Sequence, residues 1–384
     1  MITADIVIVG GGPAGSTAAW QLKQAGADVL LIDKAEFPRD KVCAGWITPA
    51  IIESLQLDID QYRQQHTLQE IRGFRTSMLD GNESSTRYND VVSYGIRRRE
   101  FDHYLLARSG VRTQLNTRVS DISRQQDRLV INGVIETPLI LGAGGHACPV
   151  SRFIGNRPGK HERAVSAQEL EVRLTPEQQQ SCAVQGDQAE LFFCRDLKGY
   201  AWVFRKGEYL NIGLGREDNH RLPDHIDEFM RYLFERERVP ANIETRFCGH
   251  AYLLYGHGHR RAIDDGVMLM GDALGLAYPQ SGEGIRPAIE SAILAVDTII
   301  RANGNYTEAS LARYVDSIER RLGKPAANDV PRSSLPWLPG KLKFWLARQA
   351  IANPWFARRV IMDNWFLHRA QPALRPVFDS TAAR

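Results

Sequence analysis

Apolar residues along this chain gather into two kinds of run. The first kind is short and unbroken. Residues 4–9 end in Ile-Val-Ile-Val, residues 28–33 enclose Val-Leu-Leu-Ile, residues 138–142 read Pro-Leu-Ile-Leu-Gly and residues 267–272 read Val-Met-Leu-Met-Gly-Asp. A strand without polar alternation is buried on both faces, which predicts a parallel sheet covered by helices. Between the first two runs, residues 13–25 open with Pro13, are rich in Ala, Gln and Leu, and are closed by Gly26, so they are predicted to be a helix. The three pieces make a βαβ unit of about thirty residues with a right-handed crossover. Further helices are predicted from Arg97 onward, where Phe101, Tyr104 and Leu105 share a face, and from about Glu283 to Arg301.

The second kind of run fills residues 164–215. Strand-like segments recur at 164–173, 190–194, 200–205 and 209–214, with Lys206-Gly207-Glu208 as a hairpin connection between the last two. This spacing predicts an antiparallel sheet, suited to a layer that faces a substrate. Residues 34–96 are polar and show little regular pattern. The predicted fold class is therefore α/β: a Rossmann-like dinucleotide-binding domain interrupted by an antiparallel β-sheet substrate domain, with a helical C-terminal section. The pieces fall at 1–70, 95–160 and 260–330 for the first domain, at 71–94 and 161–259 for the second, and at 331–384 for the tail.

Composition narrows the class. A chain of 384 residues is long enough for two domains. No run of about 18 apolar residues is present, so no transmembrane helix is predicted. The N-terminal apolar stretch has no basic segment before it and runs into a glycine turn, so it reads as a strand rather than a signal peptide, and a cytoplasmic location is expected. The five cysteines are scattered, without a Cys-x-x-Cys pair, which signals neither a metal site nor a disulfide framework.

Charge matters most at the C-terminus. Residues 331–384 hold nine Lys or Arg, among them Arg332 and Arg384, against the acids Asp363 and Asp379. They also hold Trp337, Trp345, Trp355 and Trp365. Amphipathic helices are expected there. They would form either a cap packed on the substrate domain or a contact with a membrane surface or partner protein. Nucleic acid is not an expected partner, because no recognisable binding module accompanies the charge.

The candidate chemistry lies at two turns. Gly10-x-Gly12-x-x-Gly15 follows a strand and opens a helix. Its glycines suit a tight turn, the approach of a pyrophosphate and close helix–strand packing, with free N–H groups at the helix start facing the phosphates. Asp33 ends the second strand, where a carboxylate accepts from the adenosine ribose. The second turn, Gly271-Asp272-Ala273 followed by Ser281-Gly282-Glu283-Gly284-Ile285, again leads from a strand into a helix. FAD has a ribityl chain that NAD lacks, and Asp272 suits its hydroxyls. The N–H groups from Gly282 to Ile285 could stabilise negative charge on the edge of a reduced flavin.

With these motifs the order GGGPAG, LIDKAEFPRDKVCAG, RRREFD, GYAWVF and GDALGLAYPQSGEGI resembles the geranylgeranyl reductase-like branch of FAD-dependent oxidoreductases. That branch shares its fold with p-hydroxybenzoate hydroxylase-type monooxygenases and flavin-dependent halogenases. The resemblance covers most of residues 1–300. It implies cofactor contacts from Gly10, Gly12, Pro13, Ala14 and Gly15, from Asp33, Lys34, Arg39, Lys41 and Arg98, and from Asp272, Pro279, Gly282, Gly284 and Ile285. It implies catalytic or substrate-facing roles for Cys43, Trp202 and Pro279. Cys43 admits two readings, a thiol with lowered pKa beside Arg39 and Lys41, or a small buried side chain at a glycine turn. Tyr200, Trp202 and Phe204 alternate onto one strand face, as an aromatic wall or as core.

The chain departs from that pattern in places. Arg205 stands where the family has proline. Gly144-Gly145 replace the Asp-Gly of the hydroxylases, which leaves NAD(P)H docking open, and His146 follows as a substitute hydrogen-bonding group or an incidental one. Arg286, near the flavin end, is a candidate contact for a charged substrate. The activity read from all this is that of an FAD-dependent oxidoreductase drawing electrons from NAD(P)H or an external reductase. The first reading is hydroxylation of an aromatic or hydrophobic substrate, small or peptide-bound, with reduced FAD and O2. The alternatives are reduction of prenyl-type C=C bonds, or electron transfer without substrate chemistry.

Overall fold

The computed structural model describes residues 1–157, 162, 164–218, 221–325 and 340–378. The unbroken apolar runs form the centre of a six-stranded sheet, in the order 263–264, 267–269, 139–142, 6–9, 29–32 and 112–114. All neighbours are parallel except the first pair. Strict alternation sorts each strand between two cores. Ile6, Ile8, Val29, Leu31, Leu139 and Leu141 face one side, and Val7, Val9, Leu30, Ile32 and Ile140 face the other. On the first side lie the helices Pro13–Gln24 and Ile285–Ala302. Their small residues, Ala14, Ala18 and Ala19 on one and Ala288, Ala292 and Ala295 on the other, are buried in this core and let the backbones approach closely. The second side is covered by a four-stranded sheet of residues 2–3, 135–137, 128–131 and 122–125.

A seven-stranded sheet is built from 248–253, 164–173, 209–216, 199–206, 188–193, 73–78 and 84–87, in that order. It is antiparallel except where Gln188–Phe193 runs parallel to Gly73–Met78. The hairpin loop is two residues long, since Lys206 pairs with Tyr209. One face packs on the helix Leu222–Glu235 through Phe192, Val203, Ile212, Phe229 and Leu233. The other face, with Leu191, Phe193, Trp202 and Phe204, turns toward the tail.

The polar stretch 34–96 is more ordered than its pattern predicts. It supplies a three-stranded sheet of residues 46–47, 93–96 and 68–71, the helices Pro49–Leu55 and Ile59–Arg63, and the strands Gly73–Met78 and Ser84–Arg87. These strands are short, and Gly73–Met78 finds its parallel partner far along the chain, so no local periodicity announces them.

In the tail, the helix Gly340–Ala352 leads through Pro354–Phe356 into a π-helical segment, Ala357–Phe366. Asn353 caps the turn between them, its side chain accepting from the N–H groups of Trp355 and Phe356 at 3.0 and 3.1 Å. Ile351, Ile361, Met362 and Phe366 are buried against the seven-stranded sheet. Each such burial stabilises by roughly 1.5–3 kcal/mol. The cap is thus formed, but the helix Gly340–Ala352 is not amphipathic in the expected sense, because Leu342, Trp345 and Leu346 face solvent. Trp337, Arg332, Asp379 and Arg384 lie outside the described residues. No helix among the described residues is long and apolar enough to cross a membrane.

Candidate active site

The two glycine turns meet beyond the C-terminal ends of the strands 6–9 and 267–269, which flank 139–142 in the six-stranded sheet. Gly10 has φ +114°, and a Cβ there would sit 2.4 Å from the Ala143 carbonyl oxygen. A Cβ on Gly15 would collide with the Gly10 carbonyl. Strand, turn and helix are therefore pressed together as the motif requires. Gly12, in contrast, has only the Arg39 Nη2 within reach of an added Cβ, at 3.7 Å. Arg39 stacks over Phe37 and pairs with Asp102 at 3.1 Å, yet its Nη1 is buried with no hydrogen-bond partner. A cradle at a helix start, beside a half-buried guanidinium whose buried Nη1 has a donor to spare, fits a diphosphate. Asp33 accepts from the N–H groups of Gly11 (2.7 Å) and Ala35 (2.8 Å), which fixes its carboxylate beside the same turn.

Asp272 comes from the opposite side. An added Cβ on Gly271 would touch Ala14 at 3.4 Å, so the two motifs are in direct contact. Asp272 Oδ1 lies 3.2 Å from where a Gly284 Cβ would be, at the start of the Ile285–Ala302 helix. Gly282 has φ +69° and closes on the Tyr252 hydroxyl, leaving no space for a side chain. Pro279, Gly282, Gly284 and Ile285 thus line one short path. The donors and carboxylates of both turns suit an FAD whose diphosphate lies at Gly12 and Arg39 and whose ribityl hydroxyls meet Asp272.

A dense group of charges sits beside this path. Arg98 holds Asp102 through two contacts of 2.8 Å. Burial works against its charge, yet Asp102 and the neighbouring Cys43 thiol hold the guanidinium above its usual range. Lys41 Nζ lies 2.6 Å from His250 Nε2. Burial, with Arg98 next, lowers Lys41 to about 8, and burial and Lys41 lower His250 to about 3. The imidazole is then a neutral acceptor for the ammonium. Lys34 is exposed, and its charge reaches His250.

Cys43 is half-buried. Its N–H donates to the Glu169 carboxylate, and its Sγ accepts from the Gly45 N–H at 3.4 Å. Glu169 is pushed up to about 7, by burial first. Its other oxygen accepts from Asn211, whose own oxygen accepts from the Trp202 indole N–H at 2.7 Å. Glu169, Gly213 and Trp202 are in register across three adjacent strands. The Trp202 ring lies over Gly213, where an added Cβ would be 2.1 Å from its Cζ2. Tyr200 donates to the Ser281 carbonyl and so ties the sheet to the Pro279–Gly282 loop.

Between these parts runs a cavity of about 670 Å³. Phe193, Tyr200 and Trp202 wall it from the sheet, Tyr252 and Leu254 from the neighbouring strand end, and Pro279 to Gly282 from the loop. Ala347, Ala350, Ile351, Phe356 and Trp365 close it from the tail. Its lining is mostly apolar. Cys43 is not among the lining residues.

One expectation changes, that for Arg286, and of the two readings of His146 the hydrogen-bonding one is seen. Arg286 does not face the cavity. It is buried, pairs with Glu290 at 2.8 Å and donates to the Gln371 carbonyl at 2.8 Å, pinning the end of the tail. His146 belongs to a group around Arg260, which reaches the His146 Nδ1 at 3.2 Å and the carbonyls of His146 and Ala273. Asp102, Glu169, Asn211, His250 and Tyr252 were not singled out from sequence. One signal was present: Asn211 and Lys206 interrupt otherwise apolar strand runs, and both are fully buried.

A Rossmann-like core with two glycine turns suited to a dinucleotide, set against a sheet-walled apolar cavity, defines an FAD-dependent oxidoreductase. The profile described as "FAD binding domain" matches residues 3–324, and the chain belongs to that family, with FAD as its cofactor. Over 356 residues it is 28% identical to a digeranylgeranylglycerophospholipid reductase of Methanothrix thermoacetophila, covering 85% of each chain. Over 325 residues it is 29% identical to a menaquinone reductase of Mycobacterium tuberculosis, covering 77% of this chain and 76% of the relative. Its fold is similar to that of a geranylgeranyl bacteriochlorophyll reductase-like protein of Thermoplasma acidophilum, with TM-score 0.72, 21% identity, and 92% and 88% of the two chains covered.

Proposed function

We propose that the protein reduces C=C bonds in the isoprenoid chain of a lipid. The observation that carries this reading is the apolar cavity of about 670 Å³ beside the Pro279–Gly282 loop. That size lies within the roughly 300–1,000 Å³ of sites that enclose most of a small ligand. The reductases of prenylated lipid and quinone among its relatives support the same substrate class.

When bound and reduced, FAD supplies a hydride equivalent. The chain's own residues do the rest. Gly10, Gly12 and Gly15, with Pro13 and Ala14 at the helix start, Arg39 and Asp33 hold the adenosine diphosphate half. Asp272 and the N–H groups at Gly282 to Ile285 hold the flavin half. Arg98 and Lys41 keep the neighbourhood positive. Cys43 is the candidate proton donor to substrate, its Sγ held by the Gly45 N–H and beside the Arg98 guanidinium. Tyr200 and Trp202 position the chain and, with Pro279, exclude water.

Hydroxylation of an aromatic or hydrophobic substrate, small or peptide-bound, is the second reading, supported by the aromatic wall of Tyr200 and Trp202. Both readings leave NAD(P)H or an external reductase as electron donor. An anaerobic reaction of the reduced holoenzyme with a geranylgeranyl lipid, followed by mass spectrometry, separates them. Two added hydrogens per double bond support the reductase. In a parallel reaction in air, oxygen uptake stimulated by substrate, with oxygen found in the product and no anaerobic reduction, overturns it in favour of hydroxylation, and neither result leaves only electron transfer.

A further inference from the structure

The helix Gly340–Ala352 closes the cavity, and it is apolar on both sides. Phe344, Ala347 and Ile351 face inward and pack on the sheet. Leu342, Trp345 and Leu346, at i, i+3 and i+4, form one outward stripe and are 43%, 54% and 44% exposed. Trp355, at the next turn, is 68% exposed. A helix packed on one face ordinarily carries charged and polar residues on the other. Contiguous large apolar side chains left in solvent mark a contact surface instead.

The rim of this stripe selects its partner. Arg348, Arg358 and Arg359 are exposed beside it. Asp363 is the one acid among the described tail residues; it is buried, accepts from the Tyr88 hydroxyl at 2.9 Å and pairs with Arg359 at 3.7 Å and Arg369 at 3.6 Å, which leaves Arg348 and Arg358 without a carboxylate from the tail. A positive rim around tryptophans suits the headgroup zone of an anionic bilayer, where indole rings sit at the boundary and arginines meet phosphates. A soluble partner protein would need a complementary acidic groove, for which nothing on this chain argues.

We propose that this face docks on an anionic lipid bilayer, with Trp345 and Trp355 at headgroup depth. The inference rests on the lipid-substrate reading above. Ala347, Ala350 and Ile351 of the same helix line the cavity. A chain-like substrate dissolved in the bilayer would then be offered to the cavity wall that already touches the membrane.

The test is sedimentation of the full-length holoprotein with vesicles of phosphatidylglycerol and phosphatidylcholine, and with phosphatidylcholine alone. Each arginine near an anionic surface strengthens partition about fivefold, so binding is expected to the charged vesicles and to weaken with salt. The W345E/W355E double variant should lose partition about tenfold or more while keeping its flavin spectrum. Should that variant fold poorly, R348Q/R359Q leaves the tryptophans in place and should weaken binding to charged vesicles only. Wild type left in the supernatant, or a double variant that sediments like wild type, overturns the proposal. So does a dimer on gel filtration that the double variant dissociates, since the stripe would then be a self-interface. Wild type that reduces the lipid without docking sinks this inference alone, whereas wild type that docks without reducing the lipid sinks the substrate reading.

Discussion

The carboxylate of Glu169 and the indole of Trp202 are joined through one side chain, Asn211, which donates to the first and accepts from the second. Glu169 also receives the N–H of Cys43. The cavity wall and the thiol loop are thus held by the same buried acid. Replacing Asn211 by Ala leaves both the indole N–H and the carboxylate short of a partner. We expect Asn211→Ala to cost about 1–3 kcal/mol, read from the urea midpoint at unchanged slope. Gly213→Ala acts on the same ring from below, by overpacking, and we expect a similar loss of about 1–3 kcal/mol. A neutral outcome for both would mean that Trp202 is free to move and does not shape the cavity.

Acid should loosen the site through His250 and alkali through Glu169. The His250 pKa falls from 6.5 to about 3 on folding, so its contribution is present above 6.5 and is lost as pH falls through about 3. Glu169 rises from 4.5 to about 7, so its contribution is present below 4.5 and is lost as pH rises through about 7. Lys41, lowered from 10.5 to about 8, behaves as His250 does, with its contribution present above 10.5 and lost as pH falls through about 8. Thermal unfolding of His250→Gln should therefore show less acid-side loss of Tm than wild type. The Tm of Glu169→Gln, relative to wild type, should rise between about pH 5 and about pH 8. Parallel pH profiles for wild type and variants would show that neither group titrates differently on folding.

Asp272 and Arg39 should govern how much FAD survives purification. Asp272→Ala removes the carboxylate beside Gly284, and Arg39→Met removes the guanidinium whose Nη1 has no protein partner. Loss of a charged hydrogen bond costs roughly 1.5–3 kcal/mol, so each change should weaken FAD binding by about tenfold or more. The ratio of flavin to protein absorbance reads this directly. Full flavin occupancy in both variants would move the cofactor away from these residues.

Much of this site was legible before the fold was known, and the illegible part has a common cause. Gly10, Gly12, Gly15 and Asp33 are local: one strand, one turn and one helix place them, and the spacing carries the geometry. Asp272 was legible because its strand and glycine turn repeat that local logic. The pairing of Cys43 with Glu169 was not, because it joins residues 126 apart through a sheet register that no short-range pattern fixes. The same holds for Lys41 and His250, 209 apart. Arg286 misled for the opposite reason: its position in the chain is near the flavin turn, but its place on the Ile285–Ala302 helix turns it toward Glu290 and the tail.

Cys43 gives the sharpest test of the proposed chemistry. Its thiol is held by the Gly45 N–H and lies beside Arg98, and its N–H is fixed by Glu169. Of these contacts only Arg98 is among the residues assigned to FAD, and its bidentate hold on Asp102 does not depend on the thiol. Cys43→Ala and Cys43→Ser should therefore bind FAD normally and show an unchanged visible spectrum. If Sγ delivers the proton, turnover with a prenyl lipid should fall by about a hundredfold or more in Cys43→Ala, within the usual range for a positioned acid. Cys43→Ser keeps the size and a proton but not the acidity, so it should recover only a small part of the rate. Reduction of the bound flavin by its electron donor should proceed at the wild-type rate in both, because that half of the cycle does not use the thiol. Equal lipid turnover in wild type and Cys43→Ala would assign the proton to another group and leave Cys43 as a packing residue beside the glycine turn.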